Sequence, residues 1–299
     1  MQRYQPSNRI PTVGVVLIIP TVIIGSALLG WLFYVVGNFF YIPLASPAML
    51  GFLCGGLLTI PVYVGKIRNP LVMGIIGIVF ACLAYGSYFY FDYTLSFRRD
   101  LRDIVEEEFG YKITDQQAHL YENMFLLDDV GTTGFVGYLK SVAKMGVSFT
   151  FSQSHDEGKQ IANLHGKSVY VYWLVEMLCA AFTAFIAGHS NIEKPFSEEA
   201  NQWFGSAKKV GVIPPQAVGH LIRALQEGNY DKAGSYVFPP FVTRKPQFAL
   251  FVRRTQSLAD PAFLFIRDYT IPKHSQVLFD GVISSSDFST LEMNMREVK

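Results

Sequence analysis

The chain has 299 residues, half of them apolar, and only 16% are charged, against about 25% in ordinary soluble proteins. Residues 1–91 hold four basic and no acidic residues, residues 92–188 eight basic and thirteen acidic, and residues 189–299 thirteen basic and eleven acidic. The net charge of +1 and the lack of a strongly basic block leave a nucleic-acid partner without support, and an acid-free apolar first third excludes an ordinary soluble domain there.

In chain order, apolar spans are expected at about Thr12 to Val36, Leu44 to Gly65 and Leu71 to Phe91, with a fourth at Ser168 to Ala187. Each supplies roughly 20 residues, enough to cross a hydrocarbon core of about 30 Å. The fold class expected is therefore an α-helical integral membrane protein with four transmembrane helices, a helical extramembrane loop and a small C-terminal α+β domain. No secretory signal is expected, because the first run is too long and leads straight into further spans. Pro20 and Pro61 each remove a backbone donor and should bend their helices. Small residues recur at Ser26-x-x-x-Gly30, Gly51-x-x-x-Gly55 and Gly77-x-x-x-Ala81, a spacing that lets helices approach closely in lipid. A compact bundle uses them most simply, and a homo-oligomer is the alternative.

Arg3 and Arg9 precede span one, and Lys66 and Arg68 lie between spans two and three. Basic residues favour the cytoplasmic side, which places both termini in the cytoplasm; Arg98, Arg99 and Arg102 after span three argue against this. Span three ends in Tyr85, Tyr88, Phe89, Tyr90, Phe91, Tyr93 and Phe97, expected as an interfacial aromatic belt, with a ligand-stacking platform as the alternative.

Residues 92–167 form the extramembrane loop. Helical spacing marks Leu95–Phe109, Thr114 with Gln117 reads as a capping box opening a helix to about Leu127, and Gly134–Met145 reads as a third helix. Gly131-Thr132-Thr133-Gly134 separates the last two, and residues 152–166 read as a polar loop. In the tail of 188–299, Pro215–Glu227 is an amphipathic helix, and Gln247–Arg253, Ala262–Tyr269 and Gln276–Ile283 are strand-like. About a hundred residues there can hold a modest core of their own.

Glu176 is the sharpest candidate for chemistry. It lies near the middle of span four, where an ionised carboxylate is costly unless it is protonated and hydrogen-bonded or part of a polar pathway. Tyr172, one turn earlier, shares its face, and Ser87 or Thr59 could reach it from neighbouring helices. A proton or ion role competes with simple packing, because one carboxylate without further polar residues makes a poor ion track. Cys54, Cys82 and Cys179 all lie in apolar runs without disulfide or zinc spacing. His155-Asp156-Glu157 with His165 matches no metal motif, Ser152 and Ser154 form no nucleophile elbow, and the Gly131–Gly134 turn lacks the Lys of a phosphate loop. No catalytic residue and no cofactor is assigned.

Five pieces of the chain, YVVGNFFYIP (34–43), GKIRN (65–69), GFVGYLKSVAKMGVSF (134–149), VYWLVE (171–176) and PFSEEANQWF (195–204), carry a resemblance. Together they resemble an uncharacterised family of bacterial multi-pass inner-membrane proteins, which implies the fold and that membrane but no activity. In that family the last piece often reads P-F-C-x-x-C-x-x-W-Y, the start of a zinc knuckle. Here Ser197 and Ala200 occupy the two ligand positions, so the resemblance implies a degenerate half-site, no metal, and a tail domain held by apolar packing alone.

The expected function is a non-enzymatic membrane-anchored scaffold, assembly or regulatory protein with the lipid bilayer and a protein partner or a second copy as its contacts. The alternative is a small transporter or channel component using Glu176. A lipid-acting enzyme drawing on Asp128, Asp129, His155 and Asp156 ranks last.

Overall fold

The computed structural model describes residues 4–5, 7–110, 112–151, 159–192, 194–240, 247–257, 259–270 and 276–295. The described residues of segments 12–65 and 70–191 form one compact unit, and those of 1–11, 66–69 and 192–299 form another. The chain is mostly helical, with four helices long and apolar enough to cross a membrane.

The first unit is a helical bundle. Helix α1 (Thr12–Gly37) runs on through Pro20 without a break. The second apolar run is divided into α2 (Ala45–Leu57) and α3 (Thr59–Gly65). Pro61 has no N–H for the carbonyl of Leu57 and its ring crowds that carbonyl, so the break falls where the missing bond would have been. Helix α4 (Pro70–Phe91) passes through a π-helical segment, Asp92–Phe97, into α5 (Arg98–Phe109). The combined rod of 39 residues to Glu108 is about 58 Å long, far more than a bilayer needs. The apolar part alone was expected to end at Phe91; the helix continues because no Pro or Gly interrupts residues 87–109.

Helices α6 (Asp115–Val130) and α7 (Gly134–Met145) follow. The capping box is present: Thr114 accepts from the Gln117 backbone and Gln117 accepts from Thr114. Gly131, left-handed at φ 67°, closes α6, a conformation that a side chain would strain. Residues 152–166 do not all form a loop as expected. Strand β2 (Lys159–Leu164) pairs antiparallel with β1 (Val147–Phe151); β1 alternates apolar and polar residues, whereas β2, KQIANL, does not; residues 152–158 lie outside the described residues. Helix α8 (Lys167–Ser190) completes the bundle.

α8 packs along both α2 and α4, and the small residues make this possible. A Cβ on Gly51 would stand 2.0 Å from the Ala180 carbonyl oxygen, and one on Gly77 would stand 2.6 Å from that of Ala184. Gly55 faces Ala187, and Gly30 on α1 faces Ala84 and Ser87 on α4. All three small-residue motifs are therefore used inside the bundle, where close backbones maximise dispersion contact.

The second unit is built on a sheet ordered β5 (Lys208–Ile213), β6 (Phe248–Arg253), β7 (Ala262–Asp268), β8 (Gln276–Ile283), with every neighbour antiparallel. A two-residue hairpin, β3 (Phe196–Ser197) with β4 (Gln202–Trp203), precedes it. Strand β5 was not expected: Gly211 and two lysines weaken its apolar pattern, as suits an edge strand. Helices α9 (Val218–Glu227), α10 (Tyr230–Gly234) and α11 (Ser285–Met293) supply the rest. Leu221, Leu225, Leu250, Leu264, Phe288 and Leu291 share one core. The alternate residues Phe263 and Phe265 point to the opposite sheet face, where they meet Phe204 and Tyr4.

Candidate functional site

Glu176 sits on α8 and is 2% exposed. Three phenol hydroxyls donate to its carboxylate: Tyr172 from the preceding turn, Tyr41 from the α1–α2 connection, and Tyr85 from α4 at 2.7 Å. Three separate segments thus meet on one carboxyl group. Among the described residues no Lys, Arg or His is paired with it. A buried carboxylate with several O–H donors is stabilised without a counter-ion, and each hydroxyl can also turn to accept a proton's hydrogen bond.

The expected helpers lie elsewhere. Ser87 packs against Gly30, and Thr59 bonds to the Gly56 carbonyl and to Asn191. Tyr41 and Tyr85 escaped the sequence reading for different reasons. Tyr41 lies in a loop outside any helical period, and Tyr85 was grouped with the aromatic belt. That belt needs correction: Tyr85 and Tyr93 are each 4% exposed, and Phe89 meets Trp173 of α8 edge-on, 4.9 Å between ring centroids. Tyr85 and Tyr93 turn inward because their hydroxyls have buried acceptors there, whereas Tyr90 stays 52% exposed.

Beyond Glu176 the same face of α4 carries Tyr88 and then Asp92. Tyr88 lies within electrostatic reach of both Glu176 and Asp92. Asp92 accepts from Tyr138 of α7 and from Ser96, and Ser96 in turn meets Tyr34 of α1 at 2.8 Å. The wider π turn shifts the phase of the following face, so Tyr93 reaches a second buried carboxylate, Glu122 of α6. Arg98 pairs with Glu122 at 3.0 Å and His119 approaches it at 3.4 Å. Outside the spans, burial and then the Asp92 charge hold the Tyr138 hydroxyl above the usual phenol range. Hydrogen bonds from Lys144 and Ser141 hold Asp129 below the usual carboxylate range, so that group is committed to the α6–α7 corner. Ser152, Ser154, His155 and Asp156 lie outside the described residues.

In the second unit, Ser197 and Ala200 do come together: the Ala200 N–H donates to Ser197 Oγ at 3.2 Å. A serine hydroxyl thus holds the turn between β3 and β4. The expectation of apolar packing alone is wrong here. Arg68, 7% exposed, donates to Glu198 and to the Lys66 carbonyl, and stacks over Phe196 at 4.3 Å. Its backbone N–H donates to the Arg9 carbonyl, and the Phe196 N–H donates to the Tyr4 hydroxyl. Burial raises the Glu198 carboxyl, but the Arg68 and Ser7 hydrogen bonds with the Arg68 and Arg9 charges outweigh it and leave it below its ordinary value. A cleft of 580 Å³ lies beside Tyr4, Phe196, Ser197, Glu199 and Val282. No cluster of three or more His, Cys, Asp or Glu suited to a metal occurs among the described residues.

No family model, curated protein or solved structure matches the chain.

Proposed function

We propose that the chain is an integral membrane protein that anchors a folded α+β platform, serving as a non-enzymatic scaffold, assembly or regulatory subunit of a bacterial inner membrane. One observation carries the reading. The tail before α1, the connection between α3 and α4, and the region after α8 belong to a single compact unit. If the four apolar helices cross a bilayer, all three segments must lie on one side of it. Arg9, Lys66 and Arg68 lie in those segments, and basic residues favour the cytoplasmic side. Helices α5, α6 and α7 then belong to the opposite side.

A platform assembled from three distant parts of the chain is a costly way to hold a mere terminus, and suits a surface that a partner reads. The cleft beside Tyr4 and Phe196 is the part of that surface we assign to the partner, a protein. The test is co-purification of the tagged full-length chain from its own membranes in mild detergent. A stoichiometric protein lost on removal of residues 195–299 supports the scaffold. A partner-free oligomer in both forms contradicts it.

The tyrosine cage favours a second reading, a small transporter or channel component using Glu176. It predicts that Glu176→Gln abolishes flux while expression persists. Equal flux in both forms removes it.

A further inference from the structure

Helix α6 is arranged inside out. Its buried residues are Glu122 and Leu126, whereas Leu120, Met124 and Leu127 are 59%, 58% and 59% exposed. At 3.6 residues per turn those three side chains fall within about 60° of one another, and Glu122 leaves from the opposite side of the helix. Tyr93, Arg98 and His119 hold Glu122 there, so the apolar stripe is turned away from the rod made by α4 and α5. A helix that sends a carboxylate inward and leucines outward reverses the pattern expected against water.

Contacts along α5, within the same compact unit as the bundle, fix the depth of that stripe. Arg102 meets Asp115 at 3.0 Å, Arg98 meets Glu122 at 3.0 Å, and the Phe97 and Phe125 rings lie 6.3 Å apart. Helix α6 therefore runs antiparallel to α5, back toward the end of the apolar run at Phe91. At the start of α7 the Phe135 ring lies 6.0 Å from that of Tyr90, just inside that run. Positions 93–98 stand roughly 3–10 Å beyond Phe91 along the helix axis, and Arg102 roughly 16 Å. The polar boundary of a bilayer is about 5–7 Å thick on each side of its core, and surface helices sink their apolar faces about 5–10 Å into it. The second half of α6 is at that level, while its first turn, beside Arg102, lies farther out.

We propose that the face of α6 formed by Leu120, Met124 and Leu127 is seated in lipid, at the boundary between headgroups and acyl chains. The inference rests on the membrane reading above and adds a surface to it. A second copy of the chain is the competing cover, and the stripe is too small for one. Three side chains along about 10 Å of helix fall far short of the roughly 800 Å² per partner that a stable interface buries. Gln117 and Asn123 flank the stripe without charge, and the exposed Asp128 marks its polar edge. Seated in this way, α6 ties the helices that follow the third span to the bilayer surface.

The test uses single cysteines labelled with bimane in the full chain, with Cys54, Cys82 and Cys179 replaced by alanine. The chain is placed in nanodiscs of phosphatidylcholine and phosphatidylglycerol, with or without a nitroxide near the head of the acyl chain, and iodide is the aqueous quencher. Labels at Met124→Cys and Leu127→Cys should lose most of their emission to the nitroxide lipid and little to iodide. Val171→Cys, exposed near the start of α8, is the lipid reference. Glu107→Cys, exposed on α5 and roughly 24 Å past Phe91, is the water reference. All four positions are exposed, so the substitutions leave the packing intact. Quenching of 124 and 127 by iodide, as at 107, would put the stripe in water, and protection from both quenchers would put protein over it; either overturns the proposal. Absence of lipid quenching at 171 as well would remove the membrane reading itself, and the inference with it.

Discussion

Tyr85 shows how much one hydroxyl can decide. Its ring is 4% exposed and its oxygen lies 2.7 Å from Glu176. Tyr85→Phe keeps the ring and removes one donor of three, so it should cost about 1 kcal/mol, read as a lower melting temperature in detergent. Glu176→Leu removes the acceptor shared by three phenol hydroxyls, that of Tyr85 fully buried, and should cost clearly more. Glu176 and Tyr172 were legible in the sequence because they share one helix at four-residue spacing. Tyr41 and Tyr85 were not, because their meeting with Glu176 depends on which helices become neighbours, and an apolar span states its solvent but not its neighbour. Arg68 was hidden differently. It reads as an ordinary topological charge, yet it is buried and holds Glu198. The Glu198 carboxyl lies below its ordinary value when folded, so its contribution to stability is present above the unfolded pKa and fades as pH falls through the folded one. Arg68→Met should weaken that dependence, leaving the Ser7 hydrogen bond and the Arg9 charge, as well as lowering stability. Acid melting curves of the two chains should converge at low pH and separate near neutrality.

At the scale of elements, helix ends were read well and helix neighbours were not. Thr114 and Gln117 announce the start of α6 because a capping box is a purely local device. Thr114→Ala should cost about 1 kcal/mol, visible as earlier loss of helical signal on heating. The small-residue motifs announced close packing but not its partner. The structure assigns all of them to contacts within the bundle, with α8 against both α2 and α4. Gly51→Leu places a side chain where a Cβ already meets the Ala180 carbonyl. It should cost more than the roughly 1–3 kcal/mol of ordinary overpacking, because backbone cannot step aside as a side chain can. Gly56→Leu, with open space at its Cβ, is the matched control and should leave melting nearly unchanged. Strand β5 escaped the reading because two lysines and a glycine break the alternation on which strand recognition rests, whereas in the β1–β2 pair only β1, VSFTF, alternates and its partner KQIANL does not.

For the whole molecule, the central claim is that four apolar helices separate two faces. On the proposed topology, the tail, the α3–α4 connection and the region after α8 share one side of the membrane, and the connection from α4 to α8 lies on the other. Composition alone made the spans visible, and the order of charges suggested an orientation. The gathering of the described residues of 1–11, 66–69 and 192–299 into one unit could not be read from any local pattern, because it rests on Arg68 meeting Glu198 and Tyr4 meeting Phe196 across the chain. Labelling of single cysteines placed at Ser286 and at Gln116, in a background with Cys54, Cys82 and Cys179 replaced by alanine, tests the claim most directly. A membrane-impermeant maleimide added to intact cells should modify the cysteine at 116 and leave that at 286 unmodified until the inner face is opened. Modification of both from the same side would contradict the account.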